Sequence, residues 1–226
     1  MAQQSIKVRQ EVRALIKKRG WRKYNVWTGF ASKGGGTFAL DGTARTMHLI
    51  WMEADREVQS YSLPSSRMDE SDSDMALDTI PDAICLLRSG IYEWRQVKED
   101  NDRIGAQCEE LYSNIVRNSV PNGYNIQWRT ITPSDLAKHT ILIKNWRRGL
   151  AYLWAATEFD LRPYAYDIRS ILRGQKTISL KQLLDAYPSE KEPLLVAALF
   201  DMSQKLELET NLGEKPFGFD TVLWMS

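Results

Sequence analysis

The chain has 226 residues, with 30 Lys and Arg against 29 Asp and Glu and a formal net charge of +1. This length predicts one large domain or two small ones, and a hydrophobic content of 43% excludes a disordered tail. There is no apolar leader and no run of about 20 apolar residues, so we expect a cytoplasmic protein without a membrane span. Two cysteines without CxxC spacing argue against a disulfide framework or a zinc site.

The first 23 residues form a strongly basic arm. Eight Lys and Arg side chains stand against Glu11, a balance of +7, which predicts contacts with DNA phosphates. A solvated amphipathic helix that packs Val8, Val12 and Leu15 on the body is an equally good interpretation. The candidate DNA-binding residues of the arm are Lys17, Lys18, Arg19, Arg22 and Lys23.

The pattern over residues 24–135 predicts an α/β domain. An unbroken apolar run at Ala83–Leu87 is typical of a central strand, and the stretch after it alternates between two faces. We expect helices over 43–54 and 102–117 and strands over 58–63, 83–87, 91–98 and 126–132.

The remaining residues predict a connecting helix, within 136–160, and a winged-helix domain over 161–226. Pro163 and Gly174 bound one helix, and capping boxes begin two more, at Ser179 with Gln182 and at Ser189 with Glu192. A hairpin over 206–210 and 219–224 completes the domain. From residue 175 onwards five lysines stand against eight acids, a balance of −3 without arginine, so we expect this domain to bind protein rather than DNA.

Two short motifs on successive strands predict a site. Asp82 follows a proline, and Gln96, Val97 and Lys98 begin fourteen residues later. If the hairpin turns through the three residues 88–90, with the glycine left-handed, Asp82 lies across from Gln96 and Lys98 is its diagonal neighbour. A two-residue loop would instead pair Asp82 with Val97 and remove the site.

These residue types suit metal-assisted phosphodiester hydrolysis. A carboxylate binds Mg²⁺, which polarises the phosphate and activates water, while a lysine ammonium stabilises the charge that develops. An ordinary exposed hairpin with an Asp and a Lys has the same spacing, and spacing alone leaves this interpretation open.

The order of the motifs resembles that of PD-(D/E)xK nucleases, and in particular of TnsA-like endonuclease subunits of heteromeric transposases. The likeness lies in Pro81-Asp82, in Gln96-Val97-Lys98 with glutamine before the lysine, in the strand stopped by Pro64, and in 123–135, which ends Ile-Thr-Pro-Ser-Asp. It covers about residues 25–226. It implies an α/β fold with a restriction-endonuclease-like mixed sheet flanked by helices, followed by a C-terminal winged-helix domain.

The resemblance also implies a function. Such subunits are Mg²⁺-dependent endonucleases, with Mn²⁺ as a substitute, that cut the 5′ ends of a transposon in cut-and-paste transposition. The implied partners are double-stranded DNA at transposon ends, an integrase-fold transposase and, through the C-terminal domain, an AAA+ ATPase regulator, all in a bacterial cytoplasm. When the family's site residues are assigned to the matching positions of this sequence, the resemblance implies that Asp82 is the metal carboxylate and that Gln96 and the Val97 carbonyl are further metal ligands. It implies that Lys98 is the catalytic lysine.

One position departs from the family pattern, because Arg45 stands where the first acid belongs and a guanidinium cannot bind a metal cation. Glu53 lies about 12 Å further along the predicted helix, too far to replace that acid. Asp41, one turn earlier, either enters the site as a substitute acid or pairs with Arg45. Arg45 is itself a candidate DNA-binding residue.

The departure opens a second interpretation, a catalytically impaired assembly subunit that bridges the transposase and the ATPase regulator. A restriction or repair nuclease is a third interpretation.

Overall fold

A computed structural model describes residues 26–63, 81–100, 125–187 and 191–226. Several predicted features lie outside these residues: the basic arm with Lys17, Lys18, Arg19, Arg22 and Lys23, the helix over 102–117, and Ser189.

The described chain begins with a hairpin that the sequence patterns did not predict. Strand β1 (Val26–Ala31) pairs antiparallel with β2 (Gly36–Asp41) through a glycine-rich turn. A Cβ atom at Gly34 would lie 2.8 Å from the Tyr61 ring. The missing side chain at Gly34 therefore lets the turn approach the sheet closely.

Helix α1 (Thr43–Ala54) has the predicted bounds and leads into a four-stranded sheet. The strand order is β3-β4-β5-β6, with antiparallel pairing of β3 with β4 and of β4 with β5, and parallel pairing of β5 with β6. The prediction of a mixed α/β fold with helices against a mixed sheet is confirmed. The strands are β3 (Val58–Ser62), β4 (Ala83–Leu87), β5 (Tyr92–Val97) and β6 (Ile126–Ile131).

Helix α1 is buried on every side over its second half. Leu49 and Met52 are fully inaccessible to solvent, and Ile50 and Trp51 retain 6% exposure each. A helix that is apolar all round needs neighbours on all faces. It has them in the β1–β2 hairpin, the sheet and a long helix over Thr140–Ala155.

From residue 133 onwards, the described residues form five helices and three short strands. The helix expected within 136–160 runs over Thr140–Ala155, and a capping box of Thr132 with Asp135 begins a short, unpredicted helix before it. The elements are α2 (Pro133–Lys138), α3 (Thr140–Ala155), α4 (Arg162–Arg173), β7 (Ile178–Ser179), α5 (Leu180–Asp185), α6 (Glu192–Gln204), β8 (Leu208–Thr210) and β9 (Val222–Met225).

The predicted helix ends of this half are mostly confirmed. Gly174 closes α4, and the capping box of Ser179 with Gln182 begins α5. The second predicted capping box depends on Ser189, which lies outside the described residues; Lys191, at the N-cap of α6, makes no side-chain capping bond. Strands β8 and β9 form the expected hairpin, and β7 joins it in the order β7-β9-β8. That these elements form a winged helix stays a prediction.

Helix α3 joins the two halves instead of merely connecting them. It packs against α1 and β1 on the side of the mixed sheet and against α6 on the other. Trp146 of α3 is 3% exposed and meets Phe200 of α6 edge-on. The buried apolar residues before and after residue 160 belong to one core. Within the described part of the chain, no helix has both the length and the apolar character needed to cross a membrane.

Candidate functional site

The β4–β5 hairpin has the three-residue loop on which the predicted site depends. Gly90 adopts a left-handed φ of 82°, and the Leu87 amide donates to the Ile91 carbonyl at 2.9 Å. The ladder pairs Ala83 with Arg95. The ladder ends there, and the amide of Asp82 also bonds to the Arg95 carbonyl, at 2.8 Å, so the pairing of Asp82 with Gln96 stays a prediction.

Both carboxylate oxygens of Asp82 have protein partners. Oδ1 lies 2.7 Å from Nε of Arg45, and Oδ2 accepts a 2.7 Å hydrogen bond from the backbone N–H of Val97. Burial raises the pKa of Asp82 above its ordinary value, although both of these contacts act to lower it. Asp82 is therefore held in place by one cation and one amide.

Arg45 reaches Asp82 from the first turn of α1. Its Nη1 also donates to Oδ1 of Asp41, at the end of β2, at 2.8 Å. Burial alone would lower the pKa of Arg45, but the carboxylates of Asp82 and Asp41 outweigh it and raise that pKa. Of the two alternatives for Asp41, the structure has the ion pair with Arg45.

Gln96, Val97 and Lys98 occupy the end of β5 next to this ion pair. Gln96 is 8% exposed, and Lys98 is half-buried with its amide bonded to the Ile131 carbonyl at 2.9 Å. Alternation along a strand places Gln96 and Lys98 on one face. Val97 contributes its N–H to Asp82, whereas the resemblance implies a role for its carbonyl.

The donor set of this site does not fit a divalent metal ion. Mg²⁺ needs oxygen ligands, including one or two carboxylates, and the Arg45 guanidinium is a cation bound to the carboxylate of Asp82, just before β4. Among the described residues, no group of three or more His, Cys, Asp or Glu side chains is arranged to hold a metal. The residues around Asp82 therefore supply no metal-dependent chemical step.

A second polar cluster, centred on Glu53, was not predicted. Glu53 is fully buried, and its carboxylate accepts hydrogen bonds from the Lys33 and Gly34 amides, at 3.1 and 3.4 Å. The Tyr61 hydroxyl and the Gln204 side-chain amide donate to it at 2.7 Å each. The cluster joins the β1–β2 turn, α1, β3 and α6, so the carboxylate of Glu53 is engaged by these elements.

A third cluster surrounds Arg95, which is 1% exposed on β5. Its Nε lies 2.5 Å from Oε1 of Glu93, and its Nη2 lies 3.3 Å from Oδ2 of Asp55. The guanidinium is 5.3 Å from the centre of the Trp51 ring, on which His139 stacks at 4.7 Å. The sequence feature that could have predicted this cluster is the pair Glu93 and Arg95, two opposite charges on one face of an interior strand.

Comparison with protein-family models gives no match, and comparison with curated proteins finds no significantly similar sequence. The resemblance to TnsA-like subunits therefore stays a hypothesis that rests on the order of the motifs.

Proposed function

We propose that this protein is a nuclease-fold subunit of a DNA transposition complex that binds DNA and partner proteins and does not cleave DNA at Asp82. The observation that carries this proposal is the 2.7 Å ion pair of Arg45 with Asp82. Mg²⁺-dependent hydrolysis depends on carboxylates whose charge is available to the metal. Here the charge of Asp82 is compensated from within the chain.

The order of the motifs supports the transposition context. The mixed sheet carries Asp82 before one interior strand and Gln96 with Lys98 at the end of the next, in the arrangement typical of PD-(D/E)xK nucleases. Helices α4, α5 and α6 and the β7-β9-β8 sheet are the kinds of secondary-structure element that a winged helix contains. These features agree with the TnsA-like resemblance over both halves of the chain.

The basic arm supplies the DNA contacts in this proposal. Its balance of +7 over residues 1–23 suits phosphates, and binding through phosphates does not require a divalent metal. We expect the full-length chain to bind a duplex equally well in Mg²⁺ and in EDTA, and fluorescence anisotropy measures this. Charge reversal of Lys17, Lys18 and Arg19 should weaken binding and flatten its dependence on salt.

Protein contacts are assigned to the C-terminal half. Its balance of −3 from residue 175 disfavours DNA. Large apolar side chains are exposed there, among them Trp154 at 56%, Phe159 at 57% and Phe219 at 65%. By resemblance, the partners are the integrase-fold transposase and the AAA+ ATPase regulator.

The hairpin register favours a second candidate function, the Mg²⁺-dependent endonuclease that cuts 5′ transposon ends. The register pairs Ala83 with Arg95, and the Asp82 carboxylate bonds to the Val97 amide, so Asp82 lies beside the end of β5 that carries Gln96 and Lys98, as that activity requires. For this candidate, Arg45 has to release Asp82 when DNA binds.

A transposition assay with the full-length chain and its partner subunits separates the two candidates. A subunit that does not cut 5′ ends yields cointegrates, and we expect the unmodified protein, Asp82→Ala and Lys98→Ala to yield them equally. The matched control is Asp185→Ala, which removes an exposed acid from α5. Simple insertions that depend on Mg²⁺, Asp82 and Lys98 would overturn the proposal in favour of the endonuclease.

A further inference from the structure

We infer that the guanidinium of Arg45 is an internal cation standing where a divalent metal ion would lie, and that the single change Arg45→Glu converts this cluster into a divalent-cation site. The inference rests on the proposed function, in which this edge of the sheet does not hydrolyse DNA, and it supplies the physical reason for that property.

The covalent geometry of the two side chains supports the conversion. Nε of an arginine and Oε of a glutamate both follow Cβ, Cγ and Cδ, so they lie the same number of bonds from the backbone. Nε of Arg45 is 2.7 Å from Oδ1 of Asp82. Two adjacent oxygen ligands of an octahedral Mg²⁺ ion, each about 2.1 Å from the metal, lie about 3 Å apart. A glutamate that follows the arginine stem therefore brings its oxygen to a separation that one metal ion can bridge.

The substitution Arg45→Glu also changes the charges of the cluster in favour of binding a cation. Arg45 now lies between two carboxylates, with Nη1 2.8 Å from Asp41 and Nε 2.7 Å from Asp82. A glutamate at position 45 would place three acids around the same point, and like charges at such distances demand a cation or a proton. The bond from Val97 N–H to Oδ2 would continue to orient Asp82 and would leave Oδ1 facing the new ligand.

The test is a titration of the full-length protein with Mn²⁺ alone. Binding is measured by isothermal titration calorimetry and by the electron paramagnetic resonance signal of unbound Mn²⁺. Arg45→Glu is expected to bind one Mn²⁺ at least about tenfold more tightly than the unmodified protein, since it adds a charged ligand and removes a cation. Arg45→Gln is expected to fall between them, because its amide oxygen has the same reach without the charge. Adding Asp82→Asn to Arg45→Glu should abolish the gain.

Each outcome decides the inference. Binding by Arg45→Glu that is no tighter than in the unmodified protein, or that survives Asp82→Asn, would overturn it. If Arg45→Glu does not fold without metal, the measurement is instead its refolding on addition of Mn²⁺, monitored by circular dichroism. The inference is also overturned if Arg45→Glu does not refold and Arg45→Gln binds Mn²⁺ no more tightly than the unmodified protein. DNA cleavage by the unmodified protein would refute the proposed function. Mn²⁺ binding by Arg45→Glu tests the divalent-cation site separately, because it does not depend on cleavage.

Discussion

Gln204 of helix α6 donates a 2.7 Å hydrogen bond from its side-chain amide to the buried carboxylate of Glu53 in helix α1. The two residues are 151 positions apart. The contact fastens the C-terminal half of the chain to the end of the helix whose first turn carries Arg45. The stability of the whole molecule should therefore depend on Glu53.

Replacement of Glu53 by alanine should destabilise the protein by about 3 kcal/mol, because it strands several buried donors, each worth about 1–3 kcal/mol. Urea unfolding at pH 7 measures the change. Glu57→Ala is the matched control, since that side chain is exposed three residues after the helix, and it should change the unfolding free energy by less than about 0.5 kcal/mol. A loss below about 1 kcal/mol for Glu53→Ala would contradict the assigned role.

Gly149 should not tolerate alanine, although alanine normally stabilises a helix interior by about 1 kcal/mol. An added Cβ would lie 2.3 Å from a ring atom of Phe200, where α3 and α6 meet. We expect a net loss of about 2 kcal/mol from overpacking. The reverse change at a solvent-exposed position of α3, Ala151→Gly, measures the difference in helix propensity between alanine and glycine without the contact to Phe200. The double variant with Phe200→Leu should recover part of the loss, and strict additivity in urea unfolding would refute the contact.

Gly90 should be replaceable only at a cost in backbone energy. Its φ is 82°, and an added Cβ would meet nothing within 4 Å, so strain is the sole penalty for Gly90→Ala. We expect about 1 kcal/mol for alanine and less for asparagine, which tolerates the left-handed region better. Gly213→Ala is the control, because that position also has open space and lacks the left-handed φ. Equal effects at both glycines in thermal unfolding would rule out the strain.

The stability of the protein should fall on mild acidification because of His48. Burial, followed by the charges of Arg95 and Arg129, lowers the pKa of His48 from 6.5 to about 3. Between these two values the unfolded chain binds a proton that the folded chain does not, so stability is lost as pH falls below about 6.5. His48→Leu removes this titration.

The measurement is the unfolding free energy of both proteins in urea at pH 7 and pH 5. The loss between the two pH values should be about 2 kcal/mol smaller in His48→Leu than in the unmodified protein. Titrations elsewhere in the chain affect both proteins and cancel in the difference. Identical losses would show that His48 binds its proton in the folded state.

Local pattern was sufficient to predict much of the framework of the site. The apolar run at Ala83–Leu87 and the glycine at position 90 identified the hairpin and its register, because a turn and a strand depend on neighbours in the chain. The bounds of α1 followed from its apolar stretch for the same reason. The first hairpin escaped prediction, since β1 and β2 alternate weakly and contact the core through a few side chains only.

The sequence by itself determined the three-residue turn and the strand register that bring Asp82 beside the end of β5. Only the tertiary structure decided that Arg45 binds Asp82 and Asp41 together, and that Glu53 serves the interface of the two halves. The reason is physical. A side chain on α1 has several carboxylates within its reach, and the choice among them depends on how the helix packs against strands and helices that are distant in the chain.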